Sequence, residues 1–280
     1  MLDVQLPSPL SELHDDRLAC AGVRVLLKRD DLVHPEIPGN KWRKLKYNLP
    51  AALEAGTLLT FGGAYSNHLR AVAAAGRHYG FNTIGVVRGE EHLPLNPSLS
   101  AAVANGMRLT YLDRATYRLK TSSPVLSRLH QEFGDFYLVP EGGSNPAAVR
   151  GCAELAAELT TPVDALFCAV GTGGTLAGLA AGPHPTIGVP VLKAPLEDDV
   201  VALQHATFGE RVGNWRLLDG YHFGGYAKRT PILTSFIDDF KARHGLLLDW
   251  IYEAKMMYAL FDQVHRRAFP PGTTIVALIN

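Results

Sequence analysis

The sequence predicts an α/β fold with buried, mostly parallel sheets, and three observations lead to this prediction. Apolar runs of strand length alternate with segments in which apolar residues recur at helical spacing. The strand-length runs are apolar throughout, as in Ala165–Val170, which indicates burial on both faces of a sheet. The chain has 280 residues, which is enough for one large domain or for two lobes with a cleft.

The predicted elements follow one another in a regular order. Val23–Lys28 is short, apolar and β-branched, which is typical of a strand. Lys41–Ala55 has helical spacing despite Pro50 and ends at Gly56. The later segments repeat these two patterns, with glycine or proline near most boundaries. They are strand Thr57–Phe61, helix Ser66–Tyr79, strand Ile84–Val87, helix Ser98–Ala104, strand Met107–Leu112, helix Val125–Phe133, strand Phe136–Val139, helix Pro146–Leu159, strand Ala165–Val170, helix Leu176–Ala181, strand Ile187–Leu192, helices Ile232–His244 and Ala254–Arg267, and strand Thr274–Ile279.

The composition excludes several classes of protein. The 27 Lys and Arg residues balance 27 Asp and Glu residues, so no net positive charge favours nucleic acid. The apolar runs are too short to span a membrane, and the N-terminus has no signal-peptide pattern. Cys20, Cys152 and Cys168 lack the spacing of a disulfide scaffold or a zinc site. We therefore expect a reduced, cytoplasmic protein that uses no metal, nucleic acid or membrane.

The first candidate binding motif is Gly171–Thr175, which lies between a predicted strand and a predicted helix. Ligands bind at such strand ends in open α/β sheets. Glycines allow a ligand to approach the backbone, and free amides with threonine hydroxyls favour an anion such as phosphate. The motif lacks the Gly-Lys-Ser/Thr of a nucleotide-hydrolysing loop. The alternative interpretation is a tight turn that is glycine-rich.

The second motif, Gly62–His68, also joins a strand to a helix. It could form a second anion cradle that faces a carboxylate or a ring hydroxyl. Alternatively, Ser66 or Asn67 caps the helix and His68 is a surface residue in its first turn.

The third motif, Pro38–Lys44, places Lys41 at the start of a helix. The helix field and burial would lower the pKa of the Lys41 amine, as a Schiff-base lysine requires. The alternative is a basic surface helix whose charged side chains are solvated. Taken together, the three motifs supply a lysine nucleophile and two anion loops, which are the parts needed to hold pyridoxal phosphate.

Six motifs occur in a fixed order along the chain: Lys28–Asp31, Gly39–Leu45, Gly62–His68, Pro140–Asn145, Gly171–Gly178 and Tyr252–Lys255. The series resembles the 1-aminocyclopropane-1-carboxylate deaminase/D-cysteine desulfhydrase family. Members of this family are pyridoxal-phosphate enzymes of fold type II, the tryptophan-synthase-β type. The resemblance extends from about Leu27 to the C-terminus.

The resemblance implies a two-lobed fold type II enzyme in which each lobe is a mostly parallel sheet flanked by helices. Residues 1–44 and 147–280 would form the larger, cofactor-binding lobe, and residues 45–146 the smaller lobe. The cofactor would lie in the cleft between the lobes, and the enzyme would be a homodimer.

The resemblance also implies roles for individual residues. Lys41 would bond to the cofactor and move a proton. Ser66, Asn67 and His68 would face the substrate, with Ser66 a candidate acid or base, and Glu253 would contact the pyridine nitrogen. Two active-site tyrosines would be Tyr226 and Tyr252. The phosphate ligands would be Lys44, Asn67, Thr172, Gly173, Gly174 and Thr175.

The substrate implied is a small amino acid, either D-cysteine or 1-aminocyclopropane-1-carboxylate. Glu253 matches the deaminase branch, whereas His68 matches the desulfhydrase branch. The products would be a 2-oxo acid and ammonia, with sulfide in addition from D-cysteine.

Other functions stay open at this point. The family pattern continues past the last strand into a glycine-rich loop beside the cofactor ring, whereas this sequence has Ile279 and Asn280 there. One alternative is therefore a non-catalytic or cofactor-impaired family member. The others are a different pyridoxal-phosphate reaction, such as β-replacement or racemisation, and a nucleotide-binding module.

Overall fold

The structure, a computed structural model, describes residues 4–280, whose strands lie in two sheets. The strands are β1 (Leu10–Glu12), β2 (Arg24–Arg29), β3 (Thr57–Gly62), β4 (Asn82–Arg88), β5 (Arg108–Leu112), β6 (Tyr137–Val139), β7 (Ala165–Val170), β8 (Thr186–Pro190), β9 (Trp215–Leu217) and β10 (Thr274–Ile279). The helices are α1 (Asp16–Ala19), α2 (Asn40–Lys46), α3 (Leu49–Ala55), α4 (Asn67–Tyr79), α5 (Pro97–Ala104), α6 (Arg114–Arg118), α7 (Ser123–Phe133), α8 (Pro146–Ala157), α9 (Gly174–Leu179), α10 (Glu197–Phe208), α11 (Pro231–His244) and α12 (Glu253–His265).

The larger sheet has the strand order β1-β2-β10-β7-β8-β9, and its neighbours run parallel except β1 against β2. Successive residues of a strand point to opposite faces. Leu27 and Phe167 therefore pack with apolar side chains of α11 and α12 on one face. Leu26 and Cys168 pack with those of α8, α9 and α10 on the other face. Because both faces are covered, the strands read as continuous apolar runs.

The smaller sheet is parallel throughout, with the strand order β5-β4-β3-β6. Leu58 packs with apolar residues of α4 and α5 on one face. Leu59 and Phe61 pack against α6 and α7 on the other. The fold class and the parallel sheets predicted from the sequence are thus confirmed.

One predicted helix is wrong in its extent. Lys41–Ala55 is not continuous, because α2 ends at Lys46 and α3 begins at Leu49. Pro50 lies in the first turn of α3, where its missing N–H costs nothing, but it could not continue a helix from α2. Because of this break, α2 is a short helix whose orientation does not depend on that of α3.

Several short or weakly patterned elements were not predicted, namely β1, β9, α1, α6 and α10. Within residues 4–280, no helix combines the length and the apolar character that a bilayer crossing needs. All four strands of the smaller sheet fall between residues 57 and 139. The lobe boundaries at residues 44/45 and 146/147 stay a prediction.

Candidate active site

A cavity of about 530 Å³ lies at the carboxyl ends of strands from both sheets. Residues that follow β3, β6, β7 and β10 line it, together with Arg88 at the end of β4. This is the place where open α/β sheets bind ligands. Gly174 is not itself a lining residue, although it lies between two that are. The predicted site residues that line the cavity are Lys41, Lys44, Ser66, Asn67, His68, Thr172, Gly173, Thr175, Tyr226, Tyr252 and Glu253.

Helix α2 is buried in this wall and carries the first candidate, Lys41. Its Nζ donates a hydrogen bond to Asn40 Oδ1 at 2.7 Å. Burial, reinforced by the nearby positive charge of Lys44, lowers the pKa of Lys41 to about 7. Arg43 and Lys44 are only 2% and 3% exposed. The alternative of a solvated basic surface helix is therefore wrong.

Arg43 fixes the position of α2 through buried ion pairs. Its guanidinium donates to both carboxylate oxygens of Asp30, at 2.6 and 2.8 Å, and to Glu158 Oε1 at 2.8 Å. The backbone of α8 also approaches α2 closely, because a Cβ at Gly151 would lie 1.9 Å from the Arg43 carbonyl oxygen. Lys41 and Lys44 are thus held on a helix that is clamped on its buried side.

Lys44 lies beside the glycine-rich loop that follows β7. Its Nζ donates to the Gly142 carbonyl at 2.8 Å and to Ser144 Oγ at 3.2 Å, and Ser144 Oγ is 2.6 Å from Thr172 Oγ1. A side chain at Gly174 would meet Ser144 Oγ at 2.6 Å and Lys44 Nζ at 3.3 Å. An ammonium, two hydroxyls and backbone amides are therefore gathered at one place, which suits a phosphate group.

The loop after β3 presents Ser66, Asn67 and His68 to the same cavity. Ser66 Oγ caps α4, since it accepts a hydrogen bond from the Leu69 amide at 3.3 Å. Ser66 can therefore cap α4 and still serve the cavity, because a hydroxyl oxygen that accepts a hydrogen bond keeps its own proton to donate.

His68 is 2% exposed, so its interpretation as a surface residue is wrong. Thr60 Oγ1 donates to the Val139 carbonyl at 2.7 Å and lies 3.0 Å from His68 Nε2. A hydroxyl has one proton, so His68 Nε2 must donate to Thr60 and Nδ1 must carry the lone pair. Burial and the charges of Lys41 and Lys44 hold the pKa of His68 well below its usual value. His68 is thus a neutral side chain whose Nδ1 has no hydrogen-bond partner in residues 4–280.

The start of α12 contributes the carboxyl of Glu253 and the phenol of Tyr252. Glu253 is 4% exposed, and its Oε2 has no hydrogen-bond partner among the described residues. Burial, with the nearby charge of Asp249, raises the pKa of Glu253 to about 8. The rings of Tyr252 and Tyr226 lie 6.1 Å apart, edge to face.

Two groups in this region were given no role from the sequence. Asp249 lines the cavity and accepts hydrogen bonds from the Ile251 and Tyr252 amides at 2.9 and 2.8 Å, which shapes the turn before α12. Because Tyr252 occupies the cap position of α12, Asp249 is not the helix cap, and the sequence carries no helix-start signal for it. Ser144 lies in the quoted motif Pro140–Asn145, but its contact with Lys44 spans 100 residues and has no sequence signal.

These residues fit pyridoxal phosphate. The cofactor needs a reactive amine, a phosphate site and a partner for its ring nitrogen. The cavity offers the low-pKa amine of Lys41, the polar cluster of Lys44 and Thr172, and the unpaired Oε2 of the Glu253 carboxyl. A buried polar atom without a partner is costly in a folded protein, and a bound ring nitrogen would remove that cost.

The comparisons with known proteins agree with this fit. The family described as pyridoxal-phosphate dependent enzyme matches residues 2–280. A Pyrococcus abyssi relative, provisionally named 1-aminocyclopropane-1-carboxylate deaminase, is 33% identical over 86% of this chain and 79% of its own. D-cysteine desulfhydrase of Salmonella schwarzengrund is 29% identical over 94% of this chain and 88% of its own. A solved structure described as an ACC deaminase homologue aligns with a TM-score of 0.84 and 28% identity, covering 99% of this chain and 90% of that one.

The fold, the cavity and these relatives lead to the same assignment. The predicted fold type II architecture and the predicted cofactor are confirmed. The chain belongs to the pyridoxal-phosphate dependent enzyme family and, within it, to the group of 1-aminocyclopropane-1-carboxylate deaminases and D-cysteine desulfhydrases.

Proposed function

We propose that this enzyme deaminates a small amino acid of the 1-aminocyclopropane-1-carboxylate or D-cysteine type, giving a 2-oxo acid and ammonia. The observation that carries the proposal is the unpaired Oε2 of the buried Glu253 carboxyl, which lies in the same cavity as the low-pKa amine of Lys41. When bound, the cofactor supplies an electron sink for the substrate, and a protonated ring nitrogen strengthens that sink.

The cofactor would be held at three places. Lys44, Asn67 and the loop residues Thr172–Thr175 would bind its phosphate. Lys41 would bond to its aldehyde carbon, for which a partly neutral amine near pH 7 is required. Glu253 would face its ring nitrogen and share a proton with it, since the pKa of this carboxyl is raised.

The substrate would be held and protonated by the remaining lining groups. The Ser66 hydroxyl and the start of α4 would bind its carboxylate, and His68 Nδ1 would accept a hydrogen bond from its amine. The neutral Lys41 amine would take or return a proton at the substrate's carbon atoms. Burial holds the pKa values of Tyr226 and Tyr252 above their usual value, so both phenols keep their protons and can donate them.

Glu253 favours the cyclopropane substrate over D-cysteine, because its branch of the family has Glu at this position. His68 favours D-cysteine by the same criterion. The neutral His68 presents only its Nδ1 acceptor to the cavity, whereas a glutamine amide could also donate a hydrogen bond. D-cysteine stays the second candidate.

Turnover by the cofactor-loaded enzyme tests the proposal. 1-Aminocyclopropane-1-carboxylate should give 2-oxobutyrate and ammonia, and D-cysteine should give pyruvate, sulfide and ammonia. Lys41→Ala is the matched inactive control. A cofactor-bound protein that turns over neither substrate would contradict the proposal and favour a non-catalytic member. A racemised or β-substituted amino acid as product would point to another reaction instead.

We also propose, from the family resemblance alone, that the enzyme is a homodimer with the lobe boundaries given above, and, from the cysteine and N-terminal patterns, that it is cytoplasmic. Sedimentation equilibrium tests the dimer, and a monomer at working concentration would contradict it.

A further inference from the structure

Lys255 is a fully buried lysine, 0% exposed, on the helix that also supplies Tyr252 and Glu253. Its Nζ donates to three backbone carbonyl oxygens, those of Val191 at 3.1 Å, His222 at 2.9 Å and Gly225 at 2.8 Å. An ammonium has three protons, so every donor of this group is used on the backbone. Lys255 forms no ion pair with a carboxylate within residues 4–280, although the charge of Asp249 acts on it from a greater distance.

The three carbonyls belong to two separate segments. Val191 follows β8, whereas His222 and Gly225 lie in the irregular segment of residues 218–230, here called the Tyr226 loop. Phe223 and Ala227 in this loop have φ of 52° and 51°, the left-handed region that non-glycine residues rarely adopt. A loop with such backbone strain persists only where its surroundings hold it.

We propose that the Lys255 ammonium is a positioning group, an internal cation in a ring of carbonyl oxygens that holds the Tyr226 loop and thereby keeps Tyr226 in the cavity. Tyr226 is the residue directly after the Gly225 carbonyl, and it lines the cavity beside Tyr252. Because Lys255 is two residues from Glu253, one helix turn orients a cavity carboxyl and anchors the opposing loop. The catalytic consequence rests on the proposed role of Tyr226, whereas the anchoring contact does not.

Trypsin cleavage of the cofactor-free protein tests the anchoring directly, because Lys228 and Arg229 in the loop are exposed cleavage sites. Lys255→Ala should speed cleavage at these two sites by about tenfold through local opening. Ammonium ion should reverse that increase, since a small cation can occupy the vacated ring. Wild-type cleavage should not respond to ammonium. The proposal is overturned by an unchanged cleavage rate, or by an increase that ammonium leaves as it is.

Two further variants separate anchoring from general destabilisation. Val264→Ala creates a cavity on the same helix and leaves the carbonyl ring intact, so cleavage in the loop relative to other sites should stay at the wild-type ratio. Lys255→Met keeps most of the side-chain volume without the charge, so cleavage should increase and ammonium should have no effect. Equal loop cleavage in Lys255→Met and wild type would also overturn the proposal.

The loaded enzyme then tests the consequence. Lys255→Met should keep cofactor absorbance, because Lys41, Lys44 and Glu253 are unchanged, while kcat falls by about tenfold or more. If the loop opens and kcat does not change, the proposed role of Tyr226 fails and the anchoring contact stands.

Discussion

The buried carboxyl of Glu253 should make the cofactor-free protein less stable as the pH rises, and Glu253→Gln should remove that loss. The pKa of Glu253 is raised from 4.5 to about 8, first by burial and then by the charge of Asp249. The folded state therefore binds this proton more tightly than the unfolded state. The contribution of this proton to the free energy of unfolding is complete below pH 4.5, and it is lost progressively as the pH rises to about 8.

The size of the effect follows from these two pKa values. The ionisation penalty is about 2 kcal/mol at pH 6 and about 5 kcal/mol at pH 9. Glutamine cannot ionise, so the stability of Glu253→Gln relative to wild type should increase by about 3 kcal/mol between these pH values. A buried amide can carry its own cost of about 1–3 kcal/mol. That cost does not depend on pH, so the change with pH is the diagnostic quantity.

Urea denaturation of the cofactor-free proteins at pH 6 and pH 9 measures this change. Glu54→Gln, an exposed substitution on α3, is the control and should differ from wild type by less than about 0.5 kcal/mol at both pH values. If the free energy of unfolding changes equally between pH 6 and pH 9 in Glu253→Gln and in wild type, the carboxyl is not neutral in the folded cofactor-free protein. Glu253 would then not be the neutral partner proposed for the cofactor's ring nitrogen.

Three other substitutions test separate parts of the site. Lys44→Met should weaken cofactor binding by about ten- to a hundredfold, because the proposed ammonium contact to the cofactor phosphate would be lost. It should also raise the pKa of Lys41, since the Lys44 charge lowers it, so the acid limb of cofactor attachment in a spectral titration moves to higher pH. An unmoved limb would mean that the two amines do not interact. Arg43→Met should destabilise the protein by about 3–5 kcal/mol in urea, because it strands the Asp30 carboxylate, which is 0% exposed. Arg24→Met breaks an exposed pair with Glu12 and should cost no more than about 1 kcal/mol, so equal losses would argue against a buried clamp. His68→Gln should shift the ratio of kcat/KM for D-cysteine over 1-aminocyclopropane-1-carboxylate toward the cyclopropane by about tenfold. Identical ratios in the variant and wild type would remove His68 from substrate selection.

The parts of the site that the sequence predicts well are those with local signals. Gly171–Thr175 follows an apolar strand, and its glycines and threonines have few other uses at that point of an α/β fold. Lys41 stands at a helix start in a recognisable motif. These short patterns carry their geometry with them, because strand, turn and helix succeed one another directly along the chain.

The parts that sequence reasoning missed depend on contacts between distant segments. Whether the basic residues of α2 are solvated is decided by Asp30 and Glu158, of which the second is 115 residues from Arg43. His68 is buried because Thr60 and the β6 backbone cover its helix turn. The groups that bind the Lys255 ammonium are backbone carbonyls, which every residue type has, so the sequence does not identify them. The burial of a charged or polar side chain and the position of backbone acceptors are properties of the assembled fold, so no pattern in one sequence reveals them.

The central claim is that the cavity binds pyridoxal phosphate with Lys41 as the attached lysine. Borohydride reduction of the cofactor-loaded protein, followed by peptide mapping, tests it most directly, because reduction makes the lysine bond permanent. We expect a single pyridoxyl group on Lys41, in the peptide that contains Asn40 and Trp42, and none in Lys41→Ala. A pyridoxyl group on Lys44, Lys255 or any other lysine of the wild-type protein, or no modified peptide at all, would contradict the account.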